Sequence, residues 1–516
     1  MNNWIVLPTV VPAMTAALLI LALPHHLTHQ RIVSVGATLL MLALAVGLAV
    51  LAADGTPRAY FLGNWPAPFG IVLVLDRLSA IMLLLSAALA LMVAVYACAG
   101  WDKRGRHFHA LLQFQLLGVN GAFLTGDLFN LFVFFEVMLI ASYGLMLHGG
   151  GGPRLKAGFH YVAINLIAST LFLFGVGLIY ATTGTLNMAD LAVKVAAVPA
   201  GDQALLKTGA MLLFAVFATK AALVPLHWWL PSAYAATSAP AAAMFMIMTK
   251  VGAYAIIRVY GLIFGAEAGP LGGIAAPLVI PAALVTLMVG AIGVLASRNL
   301  RDLVCFSVVA SMGNLLVAVG LFDGPGTTAA LSYLVHSTLT GAALFLLVDV
   351  IAQRRGRQLD QLEPAPVLAD GTLLGALFFL GAIAMVGMPP LSGFIGKLLI
   401  LDATRQAPQA PLIWAVILGA SLLMMIGFAR AGSMIFWNSR DPSADPGGAK
   451  AAGGLSGLAL IPVLVIGLLL AATTVLSLGA GPLTRAYEAT SAQLLDRAGY
   501  VRAVLPPAAG TGTGGN

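Results

Sequence analysis

The sequence predicts an all-α polytopic membrane protein with about fourteen transmembrane helices. Of its 516 residues, 60% are hydrophobic and only 9% are charged, whereas soluble globular domains carry about 25% charged residues. Apolar runs of about 20 residues, the length that crosses a bilayer, recur along the whole chain. Lysine and arginine concentrate in alternate loops, so the net charge of +7 indicates membrane orientation and not nucleic-acid binding.

Fourteen apolar segments are separated by polar or Gly/Pro clusters, and we number them spans 1 to 14. They are residues 4–23, 32–52, 72–97, 108–125, 129–147, 159–181, 208–226, 240–264, 274–296, 302–321, 328–352, 371–400, 411–435 and 455–478. No segment has the pattern of a strand, so we expect helices throughout. After span 14, residues 483–500 have some amphipathic character, and residues 508–516 have the composition of a disordered tail.

Most basic loop residues follow odd-numbered spans. They are Arg31, Lys103, Arg104, Arg106, Arg154, Lys156, Arg298, Arg301, Arg354, Arg355, Arg357, Arg440 and Lys450. Loops after even-numbered spans hold few basic residues and several acids, such as Asp54, Asp190 and Asp323. Because lysine and arginine stay on the cytoplasmic side, the alternation predicts a multi-pass protein of the bacterial inner membrane with its N-terminus outside.

Five ionisable residues inside predicted spans are candidates for a functional role. They are Glu136 in span 5, Lys220 in span 7, Lys250 in span 8, His336 in span 11 and Lys397 late in span 12. A charge near the bilayer centre costs about 2.5–3.5 kcal/mol on insertion scales. We therefore expect these side chains to face the protein interior. A lysine beside a carboxylate can hold or release a proton, so we expect Glu136 to pair with Lys220 and Lys250 to be the next proton carrier.

Several polar residues share a helix face with these groups or lie beside them. Residues four apart lie on one face of a helix, which aligns Ser332 and Thr340 with His336, Ser307 with Ser311, and Tyr254 with Lys250. His227 follows Pro225 and is a further candidate relay residue. The supporting set is His227, Tyr254, Ser307, Ser311, Ser332 and Thr340.

Prolines predict a break within each of two spans. Pro225 follows Lys220 in span 7, and Pro389 and Pro390 precede Lys397 in span 12. Proline frees backbone carbonyls, which membranes tolerate only inside protein or beside water. The two spans are five apart and so run in opposite directions, which predicts two inverted five-helix repeats as in many ion-coupled transporters. The domains predicted are 1–107 (spans 1–3), 108–264 (first repeat), 274–435 (inverted second repeat) and 455–516 (last helix and tail).

Three segments carry a family resemblance. Residues 129–143 have the sequence FNLFVFFEVMLIASY, which is similar to span 5 of the D-type subunit of Mrp-type (Mnh or Pha) multisubunit cation/proton antiporters. Residues 220–240 and 389–397 resemble the broken helices of the same family. Antiporter-like membrane subunits of respiratory complex I share these broken helices. The resemblance covers about spans 3 to 13.

The resemblance implies a subunit of a hetero-oligomer that exports Na⁺, or K⁺, against entering protons. The partners would be A-, B-, C-, E-, F- and G-type membrane subunits in the lipid bilayer. It implies a proton path through the Glu136–Lys220 pair, Lys250, His336 and Lys397. Many relatives have a lysine one turn beyond the histidine, where this chain has Thr340. This difference places more weight on His336 and water.

Two other functions fit the same residues. The chain could be an antiporter-like proton-pumping subunit of a complex I-type or membrane-bound hydrogenase complex, or it could only support a partner's transport path. The sequence contains no ligand pattern for a redox cofactor, so we expect no cofactor and a secondary transporter subunit instead of an enzyme. Glu136 is the one carboxylate placed deep in the predicted spans, and the sequence alone identifies no Na⁺ site.

Overall fold

The computed structural model describes residues 2–368, 370–438 and 457–505, and these residues are mostly helical. The predicted tail at 508–516, the basic residues Arg440 and Lys450, and the first residues of span 14 lie outside this part of the chain. The helices are α1 (Leu7–Leu21), α2 (Leu27–Ala52), α3 (Arg77–Ala97), α4 (Phe108–Leu124), α5 (Leu128–Leu147), α6 (Gly152–Thr183), α7 (Met188–Lys194), α8 (Gln203–Lys220), α9 (Trp229–Ala236), α10 (Ala239–Leu262), α11 (Ala276–Ala296), α12 (Leu300–Val319), α13 (Gly324–Arg354), α14 (Gly371–Val386), α15 (Ser392–Ala403), α16 (Ala410–Phe436), α17 (Gly457–Leu478), α18 (Ala480–Leu495) and α19 (Arg497–Val504).

The helices confirm a multi-pass membrane protein. Within the described residues, eleven helical segments are long and apolar enough to cross a membrane. Two shorter apolar helices, α4 and α14, coincide with predicted spans 4 and 12. The amphipathic stretch after span 14 forms α18 and α19.

A two-stranded sheet corrects the expectation of helices throughout. Strand β1 (Arg58–Phe61) pairs antiparallel with β2 (Val72–Leu75), which the sequence had assigned to the start of span 3. All four residues of β2 are buried, so no apolar–polar alternation marked them as a strand. Helix α3 begins only after Asp76, whose carboxylate accepts a hydrogen bond from the Ser79 amide at 2.8 Å.

The loops gather at two opposite faces of the helix bundle. We call the end that carries β1 and β2 the hairpin face, and its loops follow even-numbered spans. Its contacts are Gly126 N to Val72 O at 2.9 Å, Ser491 Oγ to Gly324 O at 2.9 Å, and Arg497 to Glu267 at 3.3 Å. The loops after odd-numbered spans meet at the other end, which we call the basic face. Its contacts are Arg31 to Asp102 at 2.6 Å, His148 Nε2 to Trp101 O at 2.8 Å, Arg154 to Ala236 O at 2.9 Å, and Arg430 to Ser297 O at 2.7 Å.

Two helix pairs, α4–α5 and α11–α12, pack in the same way. In each pair, two glycines one turn apart allow the partner helix to approach closely. A Cβ at Gly118 would lie 2.7 Å from the Met138 Cα, and a Cβ at Gly290 would lie 2.6 Å from the Ala310 Cα. The residue numbers of the second pair exceed those of the first by 172. The same offset relates Gly121 and Phe134 to Gly293 and Phe306, and Tyr161 and Ser142, which are hydrogen-bonded, to Tyr333 and Asn314, which are also bonded.

Helix α10 lies at the centre of the molecule. The most apolar stretch of α10 is entirely buried. In outer helices such as α2 and α16, only about one-third of the residues in the corresponding stretch are buried. It packs against α8 on one side and α13 on the other, and also contacts α3 and α4. Polar side chains on α10 therefore face only protein, and several predicted site residues lie on it or on its neighbours.

The Arg31–Asp102 ion pair at the basic face generates a prediction about stability. Asp102 is 3% exposed and accepts two bonds from the Arg31 guanidinium, at 2.6 and 2.7 Å, and one from His109 at 3.2 Å. Burial raises the pKa of Asp102, but the hydrogen bonds from Arg31 and His109 outweigh it and lower this pKa to about 2. The stabilisation is present above the unfolded carboxyl pKa of about 3.9 and is lost as pH falls towards about 2.

We expect Asp102→Asn to lower the thermal midpoint of the purified protein in detergent. Loss of an exposed ion pair lowers the free energy of unfolding by up to about 1 kcal/mol, and loss of one partner of a buried pair lowers it by about 3–5 kcal/mol. We expect an intermediate loss, because Asp102 is buried but Arg31 is one-quarter exposed. The matched control is Asp54→Asn, since Asp54 pairs with Arg58 at 2.5 Å but is 49% exposed. Equal midpoints for the two variants would contradict this assignment.

Candidate functional site

The structure contains both helix breaks that the prolines predict. Helix α8 ends at Lys220 and helical structure resumes at Trp229, and the Val224–Pro225 peptide bond between them is cis. Helix α14 ends at Val386 and α15 begins at Ser392, with a cis Pro389–Pro390 bond in the gap. The first break lies at the end of predicted span 7 and the second lies within span 12. Each break leaves the last carbonyls of a helix without helical partners. A predicted site lysine lies at each break.

Lys397 satisfies a carbonyl that the second break frees. Its ammonium donates to the Val386 carbonyl at 2.7 Å and to the Ser421 hydroxyl at 2.6 Å, and the residue is 5% exposed. Gly387 has a φ of +82°, and a Cβ there would lie 2.7 Å from the Lys397 Cδ. Hydrogen bonds to charged groups contribute about 1.5–3 kcal/mol each, enough together to offset the cost of burying the ammonium.

Lys220 and Glu136 are linked through one turn of α6. The Lys220 ammonium donates to the Asn165 side-chain oxygen at 2.6 Å, and the Ser169 hydroxyl donates to Glu136. Asn165 and Ser169 are four residues apart and so share a helix face. Among the described residues, Glu136 and Lys220 form no ion pair within 4.0 Å, so the direct contact that we expected is replaced by this bridge. Glu136 is only partly buried.

Lys250 is the least satisfied of the three lysines. It is fully buried, and its ammonium makes one long hydrogen bond, to the Thr249 hydroxyl at 3.4 Å. Gly252 brings this part of α10 close to the first break, because a Cβ there would lie 2.6 Å from the Ala221 amide nitrogen. The backbone of α10 therefore packs directly against the end of α8 that carries Lys220.

His336 joins α13 to the start of α15. Its Nδ1 lies 2.8 Å from the Ser392 hydroxyl and 3.4 Å from the Thr340 hydroxyl, as the spacing on α13 predicted for Thr340. A Cβ at Gly393 would clash with the Ala384 carbonyl oxygen and would lie 2.7 Å from the His336 Nε2, so glycine lets both the α14 backbone and the imidazole approach α15. Ser332 is half-buried and lines a small cavity with Ser392.

The remaining supporting residues lie on different helices. Ser307 donates to the Val304 carbonyl one turn back at 2.7 Å, and Ser311 is buried on the same face of α12. Tyr254 donates to the Phe123 carbonyl at 2.7 Å. His227 is half-buried in the first break, two residues after Pro225. Among the described residues, none of these four side chains is hydrogen-bonded to His336.

Several buried ionisable residues escaped the sequence analysis, among them Arg258, Asp76 and Asp349. Arg258 on α10 donates to both carboxylate oxygens of Asp76, at 2.6 and 2.9 Å, and both residues are nearly fully buried. Asp349 on α13 is 3% exposed and accepts bonds from Tyr96, Trp101 and Gln353. Our inference that Glu136 is the one carboxylate deep in the spans is therefore wrong, because Asp76 and Asp349 are more deeply buried. The eight-residue spacing places Lys250 and Arg258 on one face of α10. This spacing is the feature of the sequence that could have identified Arg258 as a buried residue.

The five predicted residues lie on successive, contacting helices. Glu136 on α5 meets α6, α6 meets Lys220 on α8, and α8 meets Lys250 on α10. Helix α10 then packs against α13, which carries His336, and α13 packs against α15, which carries Lys397. The arrangement can hold protons at separated points across the molecule. The described residues contain one group of three possible metal ligands, Cys98, Asp102 and His109, and it lies at the basic face away from this row.

Comparisons with known proteins identify the family. Residues 125–424 match the family described as NADH:quinone oxidoreductase/Mrp antiporter, TM, and the chain belongs to this family. It is 42% identical to the D-type subunit of a probable K⁺/H⁺ antiporter of Rhizobium meliloti, with 96% of this chain and 97% of that protein covered. It is 36% identical to the D-type subunit of a Na⁺/H⁺ antiporter of Alkalihalophilus pseudofirmus, over 98% of this chain and all of the relative.

A solved structure of the Mrp complex from Dietzia sp. contains a chain with the same fold. That chain superposes with a TM-score of 0.87 at 31% identity, and 98% of this chain and 100% of that chain are covered. The resemblance to the D-type subunit, which the sequence indicated in spans 3 to 13, is confirmed over nearly the whole chain.

The close approach of Gly393 to His336 generates a prediction. We expect Gly393→Ala to push the start of α15 away from the Ala384 carbonyl and from His336, which separates His336 from Ser392. Cation-dependent proton flux of the assembled protein in membrane vesicles should fall at least about tenfold, the rate equivalent of 1.36 kcal/mol. Gly419→Ala is the control, because a Cβ there meets no atom within 4 Å. Unchanged flux in Gly393→Ala would show that the position of His336 is not critical.

Proposed function

We propose that this chain is the proton-translocating subunit of an electrogenic Na⁺/H⁺ or K⁺/H⁺ antiporter complex. The observation that carries the proposal is the row of Glu136, Lys220, Lys250, His336 and Lys397, which occupy contacting helices through the core. Isolated charges at membrane depth are costly, and five ionisable groups in one connected series are most simply explained by proton transfer. The antiporter names of relatives that match over the whole chain support the same function.

We propose fourteen membrane crossings with the N-terminus outside. Contacts among loops support this count, since loops after even-numbered spans meet at the hairpin face and the others at the basic face. The basic face would be cytoplasmic under the positive-inside rule. The constant offset of 172 residues between equivalent contacts supports two repeats that begin at α4 and α11. These helices are five spans apart, so the repeats would be inverted in the membrane.

The proposed relay uses the different attachments of its three lysines. Lys397 is held by two short hydrogen bonds and Lys220 by one, whereas Lys250 has a single bond of 3.4 Å. The Lys250 ammonium is therefore held by the weakest hydrogen bond of the three. Arrival of a proton on the Glu136 carboxylate would weaken its attraction for the Lys220 ammonium through α6. The charge would then pass to Lys250 and, through His336, to Lys397.

The exported cation would cross the membrane at another subunit or at a subunit interface. Glu136 is the one carboxylate of the proposed relay, whereas a hard cation needs several oxygen ligands. Other membrane subunits of A-, B-, C-, E-, F- and G-type would complete such a complex. If one extra proton enters per cation, each 100 mV of membrane potential contributes about 2.3 kcal/mol, which would support export against an opposing pH gradient.

A proton-pumping subunit of a respiratory complex is the alternative. The family description includes NADH:quinone oxidoreductase as well as the Mrp antiporter. The same relay would then be driven by redox chemistry in other subunits. The antiporter is favoured because relatives with 42% and 36% identity, matched from end to end, have antiporter names.

We expect Glu136→Gln to abolish Na⁺- or K⁺-dependent proton flux while the complex still assembles. Glutamine keeps the hydrogen bond with Ser169 but removes the charge that acts on Lys220. Flux measured in everted membrane vesicles with a pH-sensitive dye, and assembly measured by copurification, would test this. Glu363→Gln is the matched control, because Glu363 is exposed in a loop of the basic face. Wild-type flux in Glu136→Gln would refute the proposed relay.

We expect Lys220→Arg to assemble but to carry little proton flux. Arginine keeps the positive charge and can still donate to Asn165, but a guanidinium hardly releases its proton. The matched control is Lys207→Arg, because Lys207 lies on the same helix and is exposed. If Lys220→Arg exchanged protons at the wild-type rate, a fixed charge would suffice at this position, and Lys220 would not itself carry protons.

A further inference from the structure

We infer that the hairpin end of α10 is a proton port that connects Lys250 with the outer surface. This inference rests on the proposed function and adds residues to it: Tyr254, Arg258 and Asp76, together with the cavity that Tyr500 closes. These groups lie outside the predicted row from Glu136 to Lys397. They form a branch from the middle of that row towards the hairpin face.

One face of α10 carries the branch. Lys250, Tyr254 and Arg258 are spaced by four residues and therefore follow one another along this face, over about 12 Å at 1.5 Å per residue. The Tyr254 hydroxyl accepts a hydrogen bond from the Arg258 Nε at 3.3 Å and donates to the Phe123 carbonyl at 2.7 Å. Tyr254 thus already links Arg258 to the interior, one turn from Lys250.

A cavity of about 40 Å³ lies where this face ends. A single water molecule needs roughly 10–15 Å³ on this measure, so the cavity has room for two or three. Asp76, Arg258 and Gly261 line it on one side, and Gln493 and Tyr500 of the C-terminal helices line it on the other. Gly261 is exposed, so the cavity reaches the surface beside it.

The cavity is lined by a polar group, the Tyr500 hydroxyl, that has no hydrogen-bond partner in the described part of the chain. Tyr500 is 5% exposed. The centre of the Arg258 guanidinium lies 5.5 Å from the centre of the Tyr500 ring. A buried hydroxyl without a partner loses hydrogen-bond energy, and water in the cavity would supply the missing bond. The lining therefore fits hydrogen-bonded water better than an apolar ligand.

The lining favours protons over alkali cations. Both carboxylate oxygens of Asp76 already accept hydrogen bonds from Arg258, so they are not free to replace the hydration shell of a Na⁺ or K⁺ ion that approaches Tyr254. A proton needs no free space, because the Tyr254 hydroxyl can accept one from a hydronium ion in the cavity, which becomes water, and can release its own proton to a neutral Lys250. For this step the hydroxyl would turn away from the Phe123 carbonyl. The Asp76 carboxylate neutralises the charge of Arg258, and its two hydrogen bonds hold the guanidinium at the cavity, away from Lys250.

The first experiment tests Tyr254 as the relay. We expect Tyr254→Phe in the assembled complex to reduce cation-dependent proton flux about tenfold, equivalent to about 1.4 kcal/mol in barrier height. Tyr234→Phe is the matched control, because Tyr234 is also buried and donates to a backbone carbonyl, that of Phe245 at 2.8 Å. Equal flux in the two variants would overturn the role of Tyr254.

The second experiment tests access from outside. Gly261→Cys places a thiol at the cavity mouth, where a Cβ meets no atom within 4 Å. Gly201→Cys is the control, since Gly201 has equal space and lies in a loop of the same face. Both would be made after Cys98 and Cys305, the two cysteines of the chain, are replaced by alanine. We expect an impermeant maleimide added to intact cells to block exchange in Gly261→Cys and to leave Gly201→Cys active.

The outcomes separate this inference from the proposed function. Exchange that persists in Gly261→Cys after complete labelling overturns the port, as does failure of the reagent to label it from outside. If Lys250→Ala abolishes exchange while labelled Gly261→Cys stays active, the relay survives and only the port is wrong. Wild-type exchange in Lys250→Ala overturns the proposed function and the port together.

Discussion

The structure depends on helices that are broken inside the apolar core. A break exposes backbone carbonyls that lipid cannot satisfy, and a buried ammonium needs acceptors that an apolar core cannot supply. At the second break the two groups satisfy each other, because the Lys397 ammonium donates a hydrogen bond to the Val386 carbonyl at 2.7 Å. At the first break, Lys220 is the last residue of α8, where the helix dipole favours a positive charge.

Close backbone packing around the breaks follows from this arrangement. Gly252 lets α10 reach the end of α8, and Gly393 leaves room for His336 beside α15. The lysines consequently have unequal surroundings, from two short hydrogen bonds at Lys397 to one long bond at Lys250. Such inequality suits proton transfer, because identical and fully satisfied sites would each retain their protons.

The two ends of the molecule serve different roles. At the basic face, Arg31 and Asp102 join loops that follow spans 1 and 3, and Asp349 is buried among Tyr96 and Trp101. At the hairpin face, α18 and α19 cover the end of α10 and enclose polar groups beside Arg258. Helices α18 and α19 thus line the port that we propose.

The sequence by itself determined the membrane class, the apolar segments, the two breaks and the ionisable residues of the proposed row. Apolar run length, proline position and charge are local properties that no fold can change. Only the tertiary structure decided which side chains meet. It assigned Val72–Leu75 to a strand buried on both faces, linked Glu136 to Lys220 through α6, and joined Asp76 to Arg258 across 182 residues. Such contacts depend on how distant helices pack, and a single sequence carries no local signal for them.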